Sequence, residues 1–391
     1  MKKRFSLFIV LLAMFFVPSF VNSVQSQNAD TLSEKAFASL ITCGSGNEYY
    51  LAFGHTSIRV CDPLQNLDYV YNYGTFDFDT PNLYWKFIKG ELIYCVARSS
   101  YDNFVYSYWY EGRSLSEQRL ILSHAELEKL FHNLQENNRP ENKYYLYDFF
   151  RDNCATRARD MIDTSLIDRT LFVEKTCDTN LTFREMIYQY SAEKLMWWQL
   201  GVDILLGMRC DRPLTNLQYM FIPFDLANQL DTTCVAGTNQ TIAAPKIQIL
   251  AETKTPNADS IPPAVVFWLL FAVVLVLSVV AYRKNWNLKW LDISLFTVIS
   301  LLSIIVIVMW FGTIHWCTKE NLSVLWANPI FIYFLVRLRK SHKVLIIIGL
   351  VFLLVSLLGF GILPQQFNIA LLPVILTLIT RLTCYLLQKK S

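Results

Sequence analysis

Charge is scarce in this sequence, and histidine scarcer still. Only 17% of the 391 residues are charged and the formal net charge is +3, too little for the broad basic surface that tracks a nucleic-acid backbone. Nucleic acid is therefore not an expected partner. The chain has five histidines, and no two histidines or cysteines in its outer part stand at metal-ligand spacing, so neither a metal nor any other cofactor is expected. Internal repeats are absent. No cysteine closely follows the N-terminal apolar run, which argues against lipidation of this chain itself.

What is abundant is apolar sequence, at 53% of the chain, with the excess lying mostly after Ile261. Residues 1–26 read as a secretory signal peptide: Lys2, Lys3 and Arg4 precede an apolar run from Phe5 to Val17, and Ser23 and Ser26 follow. An uncleaved N-terminal anchor is the alternative. Either way the following residues lie outside the cytoplasmic membrane. Windows near 263–282, 291–311, 322–336, 344–361 and 367–387 are apolar enough for transmembrane helices. The third is short and carries Asn328-Pro329, so it is expected to kink or re-enter. Basic clusters at Arg283, Lys284 and Lys289, at Arg337, Arg339, Lys340 and Lys343, and at Lys389 and Lys390 follow spans one, three and five. The positive-inside rule puts these in the cytoplasm, with the C-terminus, and puts 27–260 outside. The expected product is a multi-pass membrane protein with its N-terminal domain outside the cytoplasm.

Residues 236–262, rich in Thr, Ala, Pro and Asn, read as a linker. Before it, 27–235 read as one α+β domain. "YYLAFGHTSIRV", "LDYVYNYGTFDF" and "ELIYCVARS" alternate like strands, and "YYLYDFF" reads as a further strand. Ser123 and Glu126 resemble a capping box for a helix running to about Asn137. "CATRARDMI" is helix-permissive, with Asn153 or Asp152 available as its cap, and 182–207 reads as a longer helical region.

Seven cysteines fall in the outer domain: Cys43, Cys61, Cys95, Cys154, Cys177, Cys210 and Cys234. An odd number leaves one thiol free even if six pair, in any of 15 ways. Cys154 differs from the others by its position. A thiol in the first turn of a helix faces unpaired N–H groups and the positive end of the dipole, which favour thiolate. The same N–H groups can hold an oxyanion. Of the histidines, His124 and His132 lie on a surface helix, His342 in a cytoplasmic loop and His315 in an outer loop. His55 alone falls inside a core strand, with Gly54 beside it, and is the candidate base. A buried structural cysteine and a core histidine are the other reading of the same residues.

The order of a His-bearing strand, a polar strand and Asn-Cys opening a helix resembles the circularly permuted branch of the NlpC/P60 papain-like superfamily. That branch includes enzymes of the lecithin:retinol acyltransferase type. More closely, "FGHTSIRV", "YVYNYGTFDF", "DNCATRARD", "DILLGMRCDRPLT", "MFIPFDL" and "HWCTKENLSVLWANP" resemble the Lnb family of Bacteroidota, over nearly the whole mature chain. The resemblance implies a multi-pass protein of the bacterial inner membrane, with a permuted papain-like periplasmic domain followed by an all-α five-helix transmembrane domain over 263–391. It also implies lipoprotein N-acyltransferase activity, with a membrane phospholipid as acyl donor and a diacylated lipoprotein as acceptor.

On that resemblance Cys154 matches the nucleophile and His55 the base. Asn72 is the preferred orienting residue, with Asp68 and Tyr71 as rivals. Tyr71 faces the opposite side of a regular strand from Asn72. Arg59 shares the face of His55 and is a candidate phosphate ligand, against a structural salt bridge. Arg157 and Arg159 are candidates for a phospholipid headgroup, and Trp197 and Trp198 for the headgroup level. His315, Asn321, Trp326 and Asn328 are candidates to line a lipid-entry groove. Two other functions fit parts of this pattern: a cell-wall cysteine peptidase, and an envelope scaffold in which Cys154 is structural.

Overall fold

The computed structural model describes residues 31–46, 48–168, 171–172, 180–191, 195–232, 234–235, 241–254, 261–337 and 343–387. The signal peptide expected over 1–26, together with Cys177 and His342, lies outside them.

Alternating aromatic, β-branched and polar residues build the first hairpins. β1 (Phe37–Cys43), β2 (His55–Asp62) and β3 (Leu67–Thr75) pair antiparallel in succession. After them come α1 (Leu83–Lys89), β4 (Ile93–Ser100), α2 (Tyr101–Glu111), β5 (Leu115–Arg119), α3 (His124–Asn137), β6 (Tyr144–Leu146) and α4 (Cys154–Ser165). The domain continues through β7 (Leu171–Phe172), α5 (Phe183–Ser191), α6 (Met196–Leu205), α7 (Asn216–Tyr219), α8 (Pro223–Leu230), β8 (Cys234–Val235) and β9 (Ile247–Leu250). Seven strands form one sheet in the order β6-β4-β3-β2-β1-β5-β9.

The two faces of this sheet are covered differently. On one, Leu40, Ile58, Val60, Tyr71 and Val96 meet Leu130 and Leu134 of α3, Ala158 and Ile162 of α4 and Leu226 of α8. On the other, Ile41, Cys43, Val70 and Leu115 meet Phe104 and Tyr108 of α2. Full burial of each Leu or Ile side chain contributes about 1.5–3 kcal/mol, so the three-helix face holds most of the domain's apolar stabilisation. The outer domain is α+β, as its sequence indicates. Ser123 and Glu126 form the expected capping box, and α3 ends at Asn137.

Three expectations are corrected. Ile247–Leu250, inside the expected linker 236–262, is a strand paired with β5, and Ile242 and Ala243 are buried. The Ile-Gln-Ile-Leu segment covers the open edge of β5, which would otherwise expose a row of unpaired backbone groups. His55 stands at the first residue of its strand, not inside it, because Tyr49–Leu51 forms a 3-10 turn and Gly54 has φ +73°. A Cβ at Gly54 would lie 2.6 Å from the Cys43 carbonyl oxygen and against the Phe224 ring, so the tight entry to β2 is closed to other residues. "YYLYDFF" leaves the sheet after Leu146, since the Asp148 carboxylate accepts from the N–H groups of Phe150 and Arg151 and turns the chain.

Beyond residue 260 the fold is helical. α9 (Pro263–Lys284) and α10 (Lys289–Phe311) are long and apolar enough to cross a membrane. α11 (Ile330–Arg337), α12 (Lys343–Leu358) and α13 (Leu371–Leu387) are shorter. The third expected window, 322–336, opens as a 3-10 turn over Leu322–Leu325 and becomes helical only at Ile330, where Asn328 Oδ1 accepts from the Ile330 N–H. Arg381 of α13 is buried against Asp292 of α10 through two hydrogen bonds, with Ser278 and Tyr385 completing the group. Charges at this depth persist when they are paired inside the bundle.

The outer domain is seated directly on the loops of the helical region. Asn321 is fully buried and its amide donates to the carbonyls of Ile204 and Leu205, 2.9 Å each. Gln365 donates to Leu206 O and Asn321 Oδ1, and Gly207 N–H donates to Cys317 O. Arg184 has no exposed surface; it binds Asp203 and Asp211, and Asp203 in turn accepts from Asn368.

Candidate active site

Asn153 makes the local geometry. Its Oδ1 accepts from the N–H groups of both Ala155 and Thr156, while its Nδ2 donates to the carbonyls of Phe149 and Phe221. The Thr156 hydroxyl accepts from the Asn153 N–H at 2.8 Å, closing a capping box. Four hydrogen bonds from one buried side chain thus fix where α4 starts and aim its first residue, Cys154, at the end of the sheet. Asp152, the other candidate cap, instead pairs with Arg157.

Against Cys154 come β2 and β3. In their register Ser57 faces Asn72, which sets His55 diagonal to Asn72 on the same side of the sheet. His55 Nε2 hydrogen-bonds Asn72 Oδ1. An amide oxygen only accepts, so Nε2 carries the hydrogen, and Nδ1 is the nitrogen left for the sulfur. His55 and the backbone N–H of Thr56 hydrogen-bond Cys154, and the Ala155 N–H, which donates to Asn153 Oδ1, also favours the thiolate. Gly74, at φ +87°, sits over the pair; a Cβ there would lie 3.9 Å from both Cys154 Cβ and the His55 ring.

The electrostatics match this geometry. Burial pushes the Cys154 thiol up, but the facing His55 charge and hydrogen bond and the two N–H groups outweigh it and hold the thiol below its ordinary value. Burial pushes His55 down, but the Cys154 thiolate, its hydrogen bond and Asn72 outweigh that and raise it. The arrangement favours proton transfer from thiol to imidazole, with the ring oriented by a neutral amide. Elsewhere burial dominates: Cys43 is pushed up to about 12, and Cys61, Cys95 and Cys210 are also raised. Cys154 as a residue is half-buried.

The structure therefore brings Cys154, His55 and Asn72 together and engages the other candidate site residues in contacts of their own. Asp68 binds Arg59 at 2.7 Å. Arg59 also pairs with Glu117 and lies over the Tyr101 ring, which makes it a structural cation and not a free phosphate ligand. Tyr71 is fully buried in the core, on the face opposite to Asn72. Arg157 is held by Asp152 and stacked on Tyr145, with its centre 3.5 Å from the ring. Arg159 binds Asp160 and the Leu217 carbonyl.

His315 is not at the cysteine; its Nε2 meets the carbonyls of Phe87 and Ile88. Asn321 and Trp326 are fully buried, the first in the joint between domains and the second among the membrane helices. Trp197 lies at the top of α9, donating to Ile261 O, whereas Trp198 packs on Phe53. Sequence reasoning missed the Thr56 N–H and Gly74. The "YNYG" stretch carried a signal for the second, a glycine two residues after Asn72.

Two protein-family models match the chain: the Lnb N-terminal periplasmic domain over residues 25–188 and the Lnb transmembrane domain over residues 255–391. No curated protein and no solved structure matches it.

Proposed function

The chain belongs to the Lnb family, which points to lipoprotein processing, and from that premise we propose that it is a cysteine-dependent lipoprotein N-acyltransferase. The single observation that carries the reading is the Asn72–His55–Cys154 line at the first turn of α4. In the first half-reaction the Cys154 thiolate attacks the carbonyl carbon of a phospholipid ester. The oxyanion forms beside the Cys154 N–H, which among the described residues meets no protein acceptor, at the positive end of α4. As the intermediate collapses, the ester C–O bond breaks, His55 gives its proton to the leaving alkoxide, and a lysophospholipid departs from a Cys154 thioester.

In the second half-reaction the α-amine of a diacylglyceryl-cysteine lipoprotein attacks the thioester. His55 accepts the amine proton, the C–S bond breaks, and an amide and the starting thiolate result. Asn72 holds the imidazole in the tautomer both halves need. Both substrates are embedded in lipid, which accounts for a catalytic domain seated rigidly on membrane helices.

The same reading includes a permuted papain-type fold, since the base-bearing strand precedes the nucleophile-bearing helix. It also includes five membrane crossings, with the C-terminus in the cytoplasm by the charge of the loops.

The test is mass spectrometry of lipoprotein N-termini in a deletion strain complemented with the wild-type chain or with Cys154→Ala. The third acyl chain is expected with the first and absent with the second. Its presence in both would rule out the thioester route. Unchanged lipoproteins with altered peptidoglycan fragments would assign the same dyad to a cell-wall peptidase.

A further inference from the structure

α1 is the most exposed apolar element of the outer domain, and its position explains why that is tolerated. Tyr84, Trp85, Phe87 and Ile88 are 81%, 57%, 58% and 43% exposed. At 100° per residue these four share one contiguous side of the helix, while Leu83 packs against the main core. A water-facing surface helix would carry the opposite pattern.

The backbone of α1 is tied to the end of a membrane helix. Lys89 O accepts from the Ile314 N–H at 2.9 Å, and His315 Nε2 meets the carbonyls of Phe87 and Ile88 at 3.1 Å each. Ile314 is three residues past Phe311, the last residue of α10, so the C-terminal end of α1 lies within about 15 Å of that helix end. Phe311 is exposed there and stacked on Trp310, the kind of aromatic pair that marks a membrane–water boundary. Lys89, beside the Trp85 ring, and Lys86 supply positive charge to the same short helix.

We propose that α1 lies in the headgroup layer of the outer leaflet, with Tyr84, Trp85, Phe87 and Ile88 against acyl chains and Lys86 and Lys89 toward lipid phosphates. The occupant of this surface is lipid. His315 is then a positioning residue that fixes the helix at membrane depth. β3, whose Gly74 lies beside Cys154 and His55, ends at Thr75, eight residues before α1 starts at Leu83. This placement holds whichever reaction Cys154 performs.

The experiment uses the full-length Cys154→Ala chain in phosphatidylethanolamine–phosphatidylglycerol vesicles, so that the outcome is independent of activity. The photoreactive residue p-benzoylphenylalanine is placed at Tyr84, at Phe87, at Leu269 on the exposed side of α9, and at the exposed Glu141 on the outer domain. After irradiation, mass spectrometry is expected to find lipid adducts at 84 and 87 approaching those at 269 and several-fold above those at 141. Adducts at 84 and 87 no higher than at 141, with strong adducts at 269, would overturn the proposal. Cross-links to a second protein chain at 84 and 87 would overturn it equally, by assigning the face to a protein partner. A His315→Ala chain is expected to lose part of the adduct yield at 84 and 87 and none at 269.

Discussion

The backbone N–H of Thr56 on β2 hydrogen-bonds the sulfur of Cys154, a residue almost a hundred positions later in the chain. Together with His55 and the Ala155 N–H it holds the thiol below its ordinary value against the effect of burial. A thiol so placed is prepared to lose its proton before any substrate arrives.

That preparation is measurable by alkylation with iodoacetamide across pH, following each cysteine by peptide mass spectrometry. Cys154 is expected to react with a midpoint below the ~8.5 of a free thiol, while buried Cys43 stays inert through neutral pH. His55→Ala is expected to move the Cys154 midpoint upward, because burial, which raises it, remains while its main opponent is gone. A midpoint unmoved by that substitution contradicts the ion pair.

Asn72 acts through His55. In the proposed reaction Asn72→Ala is expected to lower kcat, on the order of 10²-fold or less, with little change in the KM for the acyl donor. Since Asn72 helps raise His55, its removal is also expected to shift the alkaline limb of the pH–rate profile to lower pH. A profile unchanged in shape would reduce Asn72 to a packing role.

Asn153 is a structural determinant of the site. Asn153→Ala leaves the N–H groups of Ala155 and Thr156 and the carbonyls of Phe149 and Phe221 without this partner. The expected loss is about 1–3 kcal/mol of stability, read by thermal melting of the full chain in detergent, together with a loss of turnover.

Arg184 holds the outer domain to its membrane seat by neutralising Asp203 and Asp211. Arg184→Ala strands two buried carboxylates and is expected to cost about 3–5 kcal/mol. Limited proteolysis should then cut near 203–212 where the wild-type chain resists.

Asp225 is buried with Tyr190 as its partner, and burial pushes its carboxyl up to about 6. A raised carboxyl binds its proton more tightly when folded, so its contribution is fully present below the ordinary value and is lost as pH rises through about 6. Asp225→Asn, which keeps an acceptor for Tyr190, is therefore expected to raise the melting temperature more at pH 8 than at pH 5.

Legibility in the sequence followed the range of the interaction responsible. Ser123 and Glu126 lie three residues apart and announced α3 to within a residue, and Asn-Cys announced a thiol at a helix start. The strand alternation around Asn72 and Tyr71 correctly placed them on opposite faces. The 182–207 region, by contrast, divides into α5 and α6, which local helix propensity alone did not reveal. Arg59 shared the face of His55 yet belongs to Asp68 and Glu117, because Glu117 lies on β5 and only the sheet brings it near.

The sequence by itself determined where apolar segments, caps and strands occur, since those depend on neighbours a few residues away along the chain. The tertiary structure alone decided which nitrogen of His55 meets Asn72, that β9 pairs with the edge of β5, and that His315 and Asn321 serve the joint between domains. Each of those is a contact between residues tens to hundreds of positions apart. A hydrogen bond of about 3 Å depends on the packing of whole elements, which spacing along the chain does not encode.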